Sequence, residues 1–169
     1  MKRLFITRLT SVLVSAILLI MLTSCQNDDV CEQASAYPLR IGFYTQDQPG
    51  VSARAFTVDS ITVYGVGRPD SLIYNNTKSI RSIEVPVNPA SVRTGFVLIF
   101  PGNIADTIWV DSQYQLKFIS AHCGFAVQPT IEQATHTNRK ISTLQINQKL
   151  VTQSFEEHIK IYLFTGTGN

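Results

Sequence analysis

The amino-acid sequence predicts an all-β protein, one β-sandwich of seven to eight strands. Two observations carry that expectation. Short runs rich in Val, Ile, Thr, Tyr and Phe recur along the chain, separated by Gly, Pro, Asn and Asp. Beyond the N-terminal leader, no stretch carries apolar residues at i, i+3, i+4 and i+7 between capping signals, so no helix is expected.

Leu39, Ile41 and Phe43 alternate in the first run, which gives a strand with one buried face. Phe56 to Val66 follows, with Ile61 and Val63 on one face. Ser71 to Tyr74 is a short edge piece. Ile83, Val85 and Val87 alternate, while Pro86 and Pro89 confine that strand to an edge or to its end. Thr94 to Phe100 (TGFVLIF) is apolar on both faces and reads as a central strand covered on both sides. Pro101-Gly102-Asn103 turns the chain. Thr107 to Val110 and Tyr114 to Ile119 come next, joined around Asp111-Ser112-Gln113, which has turn chemistry. Tyr114, Leu116 and Phe118 share a face. Residues 128–139 are polar and predict a long exposed loop. Lys140 to Asn147 brings Leu144 and Ile146 together. In the last strand, Glu157 to Phe164, Ile159, Ile161 and Leu163 point inward and His158, Lys160 and Tyr162 outward. The turn spacing suits an immunoglobulin-like or transthyretin-like sandwich, with a small β-barrel as the alternative.

Residues 1–24 read as a removable export signal. Lys2, Arg3 and Arg8 form a positive n-region, and Val12 to Leu22 is an apolar run of 11 residues. A helix needs about 20 such residues to cross a bilayer core, so the run fits the h-region of a secretory signal instead. Without the leader the chain keeps 11 basic and 12 acidic residues. That leaves no basic excess for a nucleic acid. Apolar and aromatic residues along most of the remainder argue against a disordered chain. Residues 25–36 then form a linker, and 37–169 a single domain.

The leader ends in Leu22-Thr23-Ser24-Cys25, which resembles the bacterial lipobox. The resemblance implies that the Cys25 sulfur receives a diacylglycerol, that the chain is cut before it, and that the new amine is acylated. The acidic pair Asp28-Asp29 shortly afterwards resembles the surface-export signal of Bacteroidetes lipoproteins. It implies an outer-membrane address, in the outer leaflet rather than the periplasmic one. A solvated tether would have the same composition. The early cysteine, the Leu-x-Ile-x-Phe run, a Thr-Ile hairpin, Cys123-Gly124 and the final His-Ile-Lys-Ile strand are together similar to a family of small uncharacterised Bacteroidetes lipoproteins. With Cys25 assigned to lipid, Cys31 and Cys123 remain. An oxidising envelope predicts a disulfide between them.

Chemistry-bearing patterns are sparse. His122-Cys123 puts a thiol beside an imidazole, but neighbours on a strand point to opposite faces, so a nucleophile–base pair is not expected. His122, His136 and His158 match no zinc spacing, and no metal or other cofactor is expected. G-x-S-x-G and S-x-x-K are absent, and Gly65-Val66-Gly67 lacks the third glycine of a dinucleotide site. No catalytic activity is therefore expected. Trp109, Tyr44, Tyr64 and Tyr74 would stack sugar if exposed together. Asp59-Ser60-Ile61, Asp70-Ser71-Leu72 and Asp106-Thr107-Ile108 resemble the O-glycosylation acceptor of Bacteroidetes envelope proteins. The resemblance implies modification at Ser60, Ser71 and Thr107, with Thr107 expected to be the most open. Strand composition alone also yields such triplets. The expected role is binding or scaffolding, as an accessory subunit of an outer-membrane or surface complex. The protein would be held to the membrane by its lipid and would meet an envelope protein or a glycan. A surface glycan-binding module is the alternative and an envelope hydrolase the third reading.

Overall fold

A strand that alternates apolar and polar residues can bury only one face, and two such sheets bury both faces at once by packing together. The computed structural model describes residues 37–45, 53–121, 123–152 and 154–164. Ten strands form among them. One sheet contains β1 (Pro38–Thr45), β2 (Arg54–Ala55), β5 (Ser82–Pro86), β9 (Ile141–Ile146) and β10 (Ile159–Leu163). The other contains β3 (Val58–Gly65), β4 (Leu72–Ile80), β6 (Arg93–Phe100), β7 (Ile104–Ser120) and β8 (Gly124–His136). The sandwich expectation holds. The barrel alternative does not, because the strands form two separate sheets and close no ring.

In the first sheet β1 is central. It pairs parallel with β10, in the register Ile41 to Ile159 and Phe43 to Ile161. Its other side pairs antiparallel with β5 and, further along, with β2. β10 pairs antiparallel with β9. The second sheet is antiparallel throughout, in the order β4-β3-β6-β7-β8. Leu39, Ile41, Phe43, Ile83, Val85, Ile159, Ile161 and Leu163 face Ile61, Val63, Phe96, Leu98, Phe100, Ile108, Val110 and Ile131 across one core. Phe43 and Phe100 meet edge to face across it, with ring centroids 6.3 Å apart. Each such buried aliphatic or aromatic side chain stabilises the fold by about 1.5–3 kcal/mol relative to exposure.

Several sequence expectations are corrected. Ten strands replace seven to eight, partly because β2 is only two residues long. The edge piece at Ser71–Tyr74 is a nine-residue strand, β4. It does lie at an edge, and Asn76 and Ser79 sit there with φ of 45° and 53°. Such left-handed kinks blunt an edge that would otherwise offer itself for pairing. β6 is central but buries only one face. Gly95, Val97 and Ile99, on the other face, are half-buried, and among the described residues no third layer covers them.

The expected turn at Asp111-Ser112-Gln113 is the middle of β7, a single 17-residue strand. The turn-prone triplet runs straight through β7, the register shift beside it being taken up by Glu132 of β8, and the Ser112 N–H donates to the Val92 carbonyl at 2.8 Å. The expected loop at 128–139 is most of β8. Its polar Gln128 is buried and donates to the Val151 carbonyl at 3.0 Å, while Ile131 enters the core. β8 is an edge strand that accommodates Pro129, and residues 149–151 cover it through the Val151 N–H to Pro129 O and Ile131 N–H to Lys149 O bonds.

His158 was expected outside and is fully buried. Its Nδ1 accepts from the Arg40 N–H at 3.0 Å, and the Thr152 N–H lies 3.3 Å from Nε2. Burial, assisted by the nearby Arg40 charge, holds its pKa below the ordinary imidazole value.

Candidate functional site

Three surface regions gather chemistry that the core does not need. The first is a cleft of about 380 Å³ at one end of the sandwich. The end of β3, the β3–β4 turn, the end of β5 and the start of β6 surround it. The turn is set by Gly67 at φ 78°, with the Arg68 N–H donating to Gly65 O at 2.9 Å and the Ser71 N–H to Arg68 O at 3.1 Å. Ile73, Val87 and Phe96 supply apolar lining, while Arg68, Ser71, Asn88 and Arg93 supply polar groups. Two arginines line it, of which Arg93 is paired with Asp111, so Arg68 supplies the cleft's unpaired positive charge among the described residues.

Its polar side chains are held rather than loose. The Asn88 N–H donates to Thr94 Oγ1 at 3.0 Å, its Oδ1 accepts from the Ala90 N–H at 3.0 Å, and its carbonyl accepts from the Tyr114 hydroxyl at 2.7 Å. Arg93 pairs with Asp111 at 3.4 Å and donates to Thr135 Oγ1 at 3.2 Å. Its guanidinium also lies 5.8 Å from the Trp109 ring centre. That indole lies across Gly95: a Cβ there would stand 3.0 Å from Trp109 Cδ1 and 2.7 Å from Val66 Cγ2. The indole lies this close to the backbone only because position 95 has no side chain.

The second region is the outward face of the first sheet. The Tyr44 hydroxyl donates to Glu157 Oε2 at 2.5 Å. The Lys160 ammonium stands 5.2 Å over the Tyr44 ring, and Tyr162 packs 5.9 Å away and donates to Gln145 Oε1 at 3.0 Å. The hydrogen bond to Glu157, with burial and the carboxylate charge behind it, pushes the Tyr44 pKa up to about 12. A phenol so held keeps its proton and acts as a donor, not as a base.

The third region is the far end of the β7–β8 hairpin. Leu116 pairs with Val127 and Phe118 with Phe125. Leu116, Phe118 and Phe125 are 71 %, 58 % and 64 % exposed. The two phenyl rings pack edge to face with centroids 5.4 Å apart.

The four aromatics proposed as a sugar platform do not come together. Tyr44 belongs to the first sheet, and Tyr64, Tyr74 and Trp109 to the second. Tyr74 packs against the core and its hydroxyl accepts from the Glu84 N–H at 2.9 Å. Of the three triplet hydroxyls, Ser71 is exposed at the cleft, while Ser60 and Thr107 are half-buried within strands. Asp106, the acid of the Thr107 triplet, has a structural task. It is 1 % exposed and accepts from Thr137 Oγ1 and the N–H groups of Arg139, Lys140 and Ile141 at 2.5–2.9 Å. Burial alone would raise its pKa, but the four donors prevail and hold it below the ordinary carboxylate range.

Cys123 closes the tip of the β7–β8 hairpin and is disulfide-bonded. Cys25 and Cys31, the lipid and bridge positions, lie outside the described residues, as does His122. Among the described residues no three His, Cys, Asp or Glu side chains cluster as metal ligands. Sequence reasoning missed Arg68, Asn88 and Arg93, whose spacing carries no motif. It also missed the Tyr44–Glu157 pair.

Residues 60–163 match the model of a family described as a family of unknown function, DUF6452. No curated protein and no solved structure matches the chain.

Proposed function

Taking as premise that the chain belongs to the DUF6452 family of unknown function, we propose that it is a lipid-anchored binding protein of the bacterial envelope, not an enzyme. In this reading Cys25 carries the lipid and Cys31 bridges to Cys123. The protein resides at the outer membrane, in its outer leaflet, and serves as an accessory subunit of a surface or outer-membrane complex. The cleft carries the reading: a site with Arg68 at its rim, no carboxylate in its lining and apolar residues beside it suits an acidic segment of a partner protein. Pull-down from detergent-solubilised membranes with wild type and Arg68→Glu tests it. The expected result is a partner captured by the wild type and lost on charge reversal. Equal capture by both would overturn the assignment of the cleft. Mass spectrometry of the mature N-terminus tests the anchor, with an unmodified residue other than Cys25 as the overturning result.

A glycan ligand is the second reading, and Trp109 favours it. The indole across Gly95 has the Arg93 guanidinium over one face, and its other face with the guanidinium N–H groups would suit a sugar ring. Loss of oligosaccharide binding in Trp109→Ala, with Arg68→Glu unaffected, would select it over the protein partner. O-glycosylation is proposed for Ser71 first, with Ser60 and Thr107 after it, and intact-mass analysis of native material checks all three.

A further inference from the structure

We propose that the far end of the β7–β8 hairpin rests in the headgroup region of the bilayer that holds the lipid anchor. The inference rests on the reading just given, in which Cys25 is lipidated and Cys31 bridges to Cys123.

The first observation is the surface itself. Leu116, Phe118 and Phe125 lie on one face of a two-stranded ribbon, with Val127 opposite Leu116, and the three exposed side chains form an apolar face. Ile119 adds a further part-exposed aliphatic group, and exposed Lys117 lies between Leu116 and Phe118 in sequence. Aromatic and aliphatic side chains with a lysine nearby are the composition that settles at a membrane–water boundary, where the rings enter the interface and the ammonium meets phosphate.

The second observation decides what covers that surface. Cys123, at the hairpin tip, is disulfide-bonded. The only other cysteines in the chain are Cys25 and Cys31. With lipid on Cys25, the bridge falls to Cys31, six residues along the chain. Six extended residues span at most about 22 Å. The tip is then tied within that reach of acyl chains buried in the bilayer. An exposed apolar ribbon so tethered meets lipid before it meets anything else, and burying two phenyl rings and a leucine stabilises that placement.

The test uses the full lipidated protein in vesicles of phosphatidylethanolamine and phosphatidylglycerol, with and without acyl-chain-brominated lipid. Tryptophan is introduced as Phe118→Trp in a Trp109→Phe background, and as Phe155→Trp for comparison. Phe155 is 90 % exposed and lies on the Arg40 side of the first sheet. Brominated lipid should cut the emission of Phe118→Trp by about twofold and leave that of Phe155→Trp unchanged. Should Trp109→Phe disturb folding, the difference in quenching against the wild-type Trp109 signal gives the same comparison. Cys31→Ser should weaken the Phe118→Trp quenching by releasing the tether. Vesicle flotation separates the two readings. Protein that fails to float would overturn the anchor. Protein that floats with Phe118→Trp unquenched would overturn this inference alone, as would quenching that appears equally at Phe155→Trp. Shielding of that tryptophan only when envelope proteins are added would assign the surface to a protein partner and likewise overturn it.

Discussion

The two halves of β7 alternate in the same way and have opposite surroundings. In the near half, Asp106, Ile108, Val110 and Ser112 are all buried. In the far half, Leu116 and Phe118 keep the same parity and stand mostly in solvent. The strand does not change; what faces it does. The core takes Ile108 and Val110 from β7 and nothing beyond them. Alternation therefore records that residues share a face, not that a second layer covers it.

Truncating one side chain in each half of β7 should separate the two environments. Ile108→Ala should lower the free energy of unfolding by about 2–5 kcal/mol through a core cavity. Leu116→Ala should change it by less than about 0.5 kcal/mol. Urea denaturation of the two variants decides the point, and equal losses would mean that the far half packs as tightly as the near one.

Polar burial in the near half gives the next effect. Asp106→Ala removes the acceptor of three main-chain N–H groups and should destabilise the protein by about 3 kcal/mol, since each buried donor left unmatched costs about 1–3 kcal/mol. Asp106→Asn should recover only part of it, as measured by thermal melting.

A smaller effect follows from His158. Its folded pKa lies below the unfolded value of about 6.5, so the unfolded chain takes up the proton first as the solution is acidified. Stability is thus full above pH about 6.5 and falls below it, by at most about 1.4 kcal/mol per pH unit until the folded value is reached. Melting temperatures between pH 7 and 5 should show this slope, and His158→Gln should flatten it.

The smallest effect belongs to the outward face of the first sheet, where a hydrogen bond substitutes for packing. Ultraviolet titration should find one phenol with a pKa of about 12. Glu157→Gln should bring it back toward its ordinary value of about 10 with little change in melting.

Much of the fold was legible because it rests on apolar alternation. Leu39-Ile41-Phe43 and Ile159-Ile161-Leu163 lie where their periodicity placed them, and Pro86 does end an edge strand. Several of the errors involve polar residues that the fold satisfies from a distance. Asp111-Ser112-Gln113 has turn chemistry, but pairing with β6 and β8 holds it inside a strand. Gln128 and His158 look solvated until Val151, Arg40 and Thr152 bring them partners. The cleft was invisible for a related reason. Arg68 lies in the β3–β4 turn, Asn88 in the β5–β6 connection and Arg93 at the start of β6, and only the pairing of β3 with β6 draws them to one rim.

The parallel pairing of β1 with β10 has a consequence for how the molecule is made. Ile41 waits for Ile159, 118 residues later in the chain. At about 5–20 residues per second, the ribosome delivers that partner roughly 6–24 s after β1. The meander of β3, β4, β6, β7 and β8 can close from neighbours in sequence, and β5 can join β1 early. The first sheet stays unfinished, with its central strand open along one edge, until β10 has been made. Such long-range closure folds slowly, so the apolar edge of β1 that β10 will cover is exposed for as long as the synthesis of the intervening strands takes.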